Sequence, residues 1–78
     1  MIMLSAKWAW LSWKPETGMG YQIATIVLKD GRRFDQAVIV EGLISEIRGR
    51  PDIPFIEEDI AEIILTHDKW DWSKDKRD

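Results

Sequence analysis

Two dipeptides that favour tight turns, Asp30-Gly31 and Glu41-Gly42, divide the middle of the chain into three runs rich in β-branched residues. A two-residue hairpin turn needs positive φ at both central positions, and Asp followed by Gly adopts this at low cost. β-branched side chains fit a pleated sheet better than a helix. The sequence therefore predicts an antiparallel meander of three strands between residues 21 and 48.

Two-residue turns also predict a register, with Ile23 opposite Val38 and Val40 opposite Leu43. One face of this meander, which we expect to form the core, carries Tyr21, Ile23, Val27, Phe34, Val38, Val40, Leu43 and Ile47. The opposite face is also apolar in its middle, where Ile26, Ile39 and Ile44 lie. An uncovered face of this kind is typical of an interaction surface, so we expect a partner to cover it.

The two ends of the chain carry similar patterns. Residues 3–13 alternate like a strand, with Trp8 and Trp10 on one side. Residues 61–72 fit a strand that follows a helical turn at residues 56–60, and Trp70 and Trp72 alternate in the same way. We expect these terminal strands to pair antiparallel and to form a seam of tryptophans.

This order of elements predicts an all-β fold, namely a small five-stranded antiparallel SH3-like barrel with one helical turn before the last strand. The resemblance to SH3-like barrels is one of element order only, and no sequence motif of that family is present. The alternative is an α+β fold in which a helix at about residues 55–66 covers the sheet, because Ile56, Ile60, Ile63 and Ile64 also fit one helical face. We expect residues 1–72 to form one small β domain and residues 73–78 to form a charged, disordered tail.

Composition excludes several functional classes. The 78 residues contain no cysteine, which excludes disulfide scaffolds, thiol catalysis and cysteine-based zinc sites and makes the cytoplasm the expected compartment. The only histidine, His67, precedes Asp68, but neighbouring side chains of a strand point to opposite faces. We therefore expect no catalytic residue, metal site or cofactor, and no membrane segment is predicted. The chain is predicted not to be an enzyme.

The high tryptophan content suggests the function, since five indoles exceed what one small core needs. We predict a non-enzymatic interaction module that binds a protein partner and forms a homo-oligomer. The residues predicted to contact the partner are Trp8, Trp10, Trp13, Trp70, Trp72, Ile26, Ile39 and Ile44. One alternative is binding of a small molecule or carbohydrate on the tryptophan cluster. Another is weak nucleic-acid binding through the hairpin tips, on Arg32, Arg33, Arg48 and Arg50, although the net charge of −3 makes it unlikely.

Overall fold

The computed structural model describes residues 1–68, which form a small all-β fold. Its strands are β1 (Ile2–Met3), β2 (Gln22–Leu28), β3 (Arg33–Val40), β4 (Leu43–Ile47) and β5 (Ile60–Leu65). They form one antiparallel sheet in the order β1-β4-β3-β2-β5, curled into a half-barrel. The predicted fold class, with five antiparallel strands and one helical turn before the last strand, is confirmed.

The alternative α+β prediction is wrong. Within residues 55–66, only Glu57–Asp59 form a helical turn. β5 follows immediately and pairs with β2. A helix over this segment would bury Ile56 beside Ile60 and Ile63, but the Ile56 side chain is 60% exposed. Ile60 and Ile63 reach the core from β5 instead.

The predicted N-terminal strand and terminal seam are also wrong. Residues Ala6–Trp13 form a 3-10 helix, which we call the Trp helix, and only Ile2–Met3 are extended. β1 pairs with β4 and β5 pairs with β2, so the first and last strands lie at opposite edges of the sheet. Trp70, Trp72 and the predicted tail lie outside the described residues.

The second hairpin has the predicted turn, whereas the first does not. Val40 lies opposite Leu43, and both Glu41 and Gly42 have positive φ, at 50° and 77°. In the first hairpin the Leu28 amide donates to the Arg32 carbonyl, so the turn holds one residue more than predicted. Gly31 takes the left-handed position of this longer turn, with φ of 96°.

Two irregularities in the sheet change which side chains reach the core. The register between β2 and β3 shifts at Gln36, whose φ is 63°, and this shift restores the predicted pairing of Ile23 with Val38. The register between β3 and β4 shifts at Ser45. Each extra residue reverses the faces of the residues on one side of it. Phe34 and Ile47 therefore move to the face that was predicted to be uncovered.

That face carries the core cluster, which corrects the predicted interaction face and moves the main core to the other side of the sheet. Ile23 and Val38 of the predicted core face are also buried, at 0% and 6% exposure, but lie outside this cluster. The strand residues in the core cluster are Ala24, Ile26, Leu28, Phe34, Ala37, Ile39, Ile44, Ile47, Ile60 and Ile63. Trp8 and Leu11 of the Trp helix and Phe55 of the loop before β5 complete it. Ile26, Ile39 and Ile44 are at most 1% exposed, because this chain covers its own sheet. They provide no surface for a partner.

Candidate functional site

Side chains of the Trp helix point in the same direction at every third residue. A 3-10 helix has three residues per turn, so residues i and i+3 lie directly above one another. Trp8 and Leu11 form the row that enters the core, and they are 6% and 2% exposed. Trp10 and Trp13 form a neighbouring row, and they are 39% and 86% exposed. We call the pair Trp10 and Trp13 the Trp stripe.

The tryptophans predicted as partner-binding residues therefore have different positions. Trp8 is buried, and its indole nitrogen has no hydrogen-bond partner. The Trp10 ring lies 6.4 Å from the Trp8 ring, centroid to centroid, at an interplanar angle of 51°. The Lys7 ammonium lies 5.3 Å from the centre of the Trp8 ring. Only Trp10 and Trp13 thus offer indole surface within the described residues.

Glu57 fixes the beginning of the Trp helix. Its carboxylate accepts hydrogen bonds from the Ser5 hydroxyl at 2.6 Å and from the Ser5 amide at 2.9 Å. These bonds join the helical turn before β5 to Ser5, the residue that directly precedes the Trp helix. The Ser5 hydroxyl, followed by the Ser5 amide and the charge of Lys7, lowers the pKa of Glu57 below 4.5, its ordinary value.

This contact predicts an acid-dependent loss of stability. A carboxyl group whose pKa is lower in the folded chain stabilises that chain above its unfolded pKa, and this contribution is lost as the pH falls through the folded value. We expect thermal stability to fall below pH 4.5 in the wild type and to fall less in Glu57→Gln. Melting curves by circular dichroism over this pH range measure the difference. Glu58→Gln, on an exposed neighbour in the same turn, is the matched control. Equal acid profiles for all three chains would contradict the assigned contact.

Gln22 fixes the end of the Trp helix. Its buried side-chain amide donates to the carbonyl oxygens of Leu11 at 2.9 Å, Pro15 at 3.2 Å and Lys14 at 3.3 Å. Leu11 lies in the last turn of the helix, where its carbonyl also accepts the Lys14 amide hydrogen, and Lys14 and Pro15 follow the helix directly. Because Gln22 begins β2, the helix end is held against the sheet.

Sequence reasoning missed both Glu57 and Gln22. Their partners are distant in sequence, and neither residue belongs to a recognisable motif. A signal for the helix itself was present, since Trp8 with Leu11 and Trp10 with Trp13 repeat every third residue. This signal overlapped the alternation of Trp8 and Trp10, which favoured a strand.

The predicted arginines do not form one basic track. The Arg32 and Arg50 guanidinium groups lie 6.0 Å and 5.0 Å from the Phe34 ring centre, and Arg32 also pairs with Asp30 at 2.8 Å. Arg48 lies over the Tyr21 ring, and Arg33 pairs with Val27 in the sheet. Phosphate binding needs adjacent free cations, so this arrangement gives no support to nucleic-acid binding.

His67 has a structural contact. Its Nδ1 lies 2.6 Å from the Thr17 hydroxyl oxygen, which also accepts the Ile23 amide hydrogen at 2.8 Å. These bonds tie the end of β5 to the loop before β2. Among residues 1–68, no group of three or more histidine or carboxylate side chains is placed to hold a metal ion. No helix in that part of the chain is long and apolar enough to cross a membrane.

The tryptophans line neither of two surface grooves found in the described part of the chain. The larger, of about 470 Å³, lies beside β4 and is lined by residues that include Met1, Ile53 and Ile56. The smaller, of about 130 Å³, lies at the end of the Trp helix and is lined by residues that include Leu11 and Gln22. Trp10 and Trp13 therefore lie outside both of these grooves.

Comparisons with protein-family models, with curated proteins and with solved structures gave no significant match to this chain. Any function assigned to it therefore has to come from its own residues.

Proposed function

We propose that this chain is a non-enzymatic interaction module that associates with a second copy of itself through the Trp stripe. The observation that carries the proposal is the exposure of Trp10 and Trp13 side by side on a helix that is fixed at both ends. Indoles on an ordered backbone lose little backbone entropy on binding, and tryptophan is among the residues that contribute most to protein interfaces.

The shape of the surface favours a protein over a small molecule. Small ligands bind in concave pockets that cover most of their surface, whereas Trp10 and Trp13 line neither of the two grooves described above. A second copy offers the same two indoles, and a two-fold contact of identical surfaces is the commonest arrangement in homo-oligomers. The absence of cysteine is consistent with the cytoplasm as the compartment in which this association takes place.

Removing the stripe should weaken association between copies. We expect the wild type to form dimers at micromolar to millimolar concentrations and Trp10→Ser/Trp13→Ser to need at least about tenfold more protein, the equivalent of about 1.4 kcal/mol. Sedimentation velocity over a concentration series measures the change. Circular dichroism should show the same fold for both chains, because neither side chain belongs to the core cluster.

Met19→Ser is the matched control, since Met19 is a fully exposed apolar side chain outside the Trp helix. Association should be unchanged in this variant. A wild type that stays monomeric, or equal losses in Met19→Ser and the double variant, would overturn the stripe as the contact. Ligand binding is measured separately by tryptophan emission. A shift with oligosaccharides that is lost in Trp10→Ser/Trp13→Ser, with no shift on raising the protein concentration, would favour the carbohydrate alternative.

A further inference from the structure

One edge of the sheet is open along the last three residues of its strand, residues 63–65. β5, with the sequence Ile-Ala-Glu-Ile-Ile-Leu, pairs with β2 on one side, and no strand of residues 1–68 pairs with its other side. Edge strands are commonly protected by proline, lysine or short length. β5 has six residues and contains neither proline nor lysine. Its protection is confined to its first half, where the register shifts at Ala61 and Glu62 carries the one charge of the strand.

The hydrogen bonds to β2 show which backbone groups of β5 face outward. The Thr66 amide donates to the Ile23 carbonyl, and Leu65 lies opposite Ala24. Residues of an antiparallel strand direct their backbone groups alternately to one neighbour and the other. Ile64 therefore directs its amide and carbonyl groups to β2, whereas Ile63 and Leu65 direct theirs to the free edge.

These outward groups fit a second copy of the same strand. In an antiparallel pair with a two-fold axis at Ile64, Ile63 of each copy lies opposite Leu65 of the other, and all four of their outward amide and carbonyl groups in each copy find partners. The two Ile64 side chains then meet at a closely spaced position, which suits β-branched residues. Glu62 lies opposite Thr66, whereas an axis at Glu62 would place two carboxylates opposite each other.

We propose that β5 is a second contact between copies of this chain, which pair edge to edge about Ile64 and continue the sheet from one copy into the next. The proposal rests on the self-association proposed above and adds a surface distinct from the Trp stripe. Ile64 is half-buried on the outer face of the sheet and is not part of the core cluster, so charged variants at this position should fold.

A charge-complementation experiment tests the register. Ile64→Lys alone and Ile64→Glu alone place like charges opposite each other across the axis, so each should need at least about tenfold more protein to associate than the wild type. An equal mixture of the two variants places lysine opposite glutamate and should restore association. Sedimentation velocity measures all three samples, and circular dichroism confirms the fold of each. Ile56→Lys and Ile56→Glu, at an exposed isoleucine outside β5, are the matched controls.

The outcomes separate this proposal from the proposed function. Folded Ile64 variants that associate like the wild type, or a mixture that does not recover, overturn the β5 contact. If association of the Trp10→Ser/Trp13→Ser variant is weakened in the same series, the Trp stripe is a contact between copies and β5 is not. If only the Ile64 variants associate more weakly and their mixture regains association, β5 is a contact between copies and the Trp stripe is not. A wild type that is monomeric at every concentration overturns both.

Discussion

Trp8→Ala is expected to lower the free energy of unfolding by about 3–5 kcal/mol, the usual cost of truncating a buried aromatic side chain to alanine. The indole is buried and joins the Trp helix to core residues of the sheet. A domain of this length has a total stability of about 4–12 kcal/mol, so the variant should lose a large fraction of its stability. Urea unfolding followed by circular dichroism measures the difference.

Trp13→Ala is the matched control for Trp8→Ala. It removes the same side chain from the same helix, but at a position that is 86% exposed, so its free energy of unfolding should stay within about 0.5 kcal/mol of the wild type. If the two variants lost similar stability, the rows of the Trp helix would be wrongly assigned. A strand over residues 3–13 would instead place Trp8 and Trp10 on one side. Trp8→Ala and Trp10→Ala would then lose similar free energies of unfolding.

Phe34→Ala is expected to have the second largest effect, also about 3–5 kcal/mol. The Phe34 ring lies 5.2 Å from the Phe55 ring and holds the loop before β5 against the sheet. It also supports the Arg32 and Arg50 guanidinium groups. Truncation therefore leaves a cavity and removes the surface on which three side chains pack.

A double-mutant cycle separates the ring contact from the loss of volume. Phe34→Ala, Phe55→Ala and the double variant should give a coupling energy of about 0.5–1.5 kcal/mol, the range measured for aromatic pairs. Phe34→Leu, which keeps most of the volume, should cost less than Phe34→Ala. Additive losses in the cycle would show that the two rings do not support each other.

The fold class could be predicted from turns and patterns, but the core face could not. Glu41-Gly42 fixes a turn by local chemistry, so the register beside it was correct. The shifts at Gln36 and Ser45 have no comparable local signal, since neither residue is a glycine or a proline. One extra residue is enough to exchange the two faces of a strand, and the prediction therefore assigned the core to the wrong side.

The sequence indicated tryptophan as the residue type of the candidate site, but it did not predict the helix that carries these residues or the contacts that hold it. Excess tryptophan drew attention to residues 8–13, but the local pattern fits two periods, and packing against the sheet decides between them. The anchors of this segment, Glu57 and Gln22, form contacts that depend on the complete fold. Such long-range contacts cannot be predicted from a single sequence.

The two anchors have a consequence for the length of the segment between them. Eight residues at the 2.0 Å rise of a 3-10 helix extend about 16 Å, whereas an α-helix of the same residues extends about 12 Å. A segment rewound into an α-helix would fall short of one tether, and Trp13 would rotate about 60° away from Trp10. Glu57 and Gln22 thus set a separation that suits the longer rise of the 3-10 helix, in which the two indoles stay in one row.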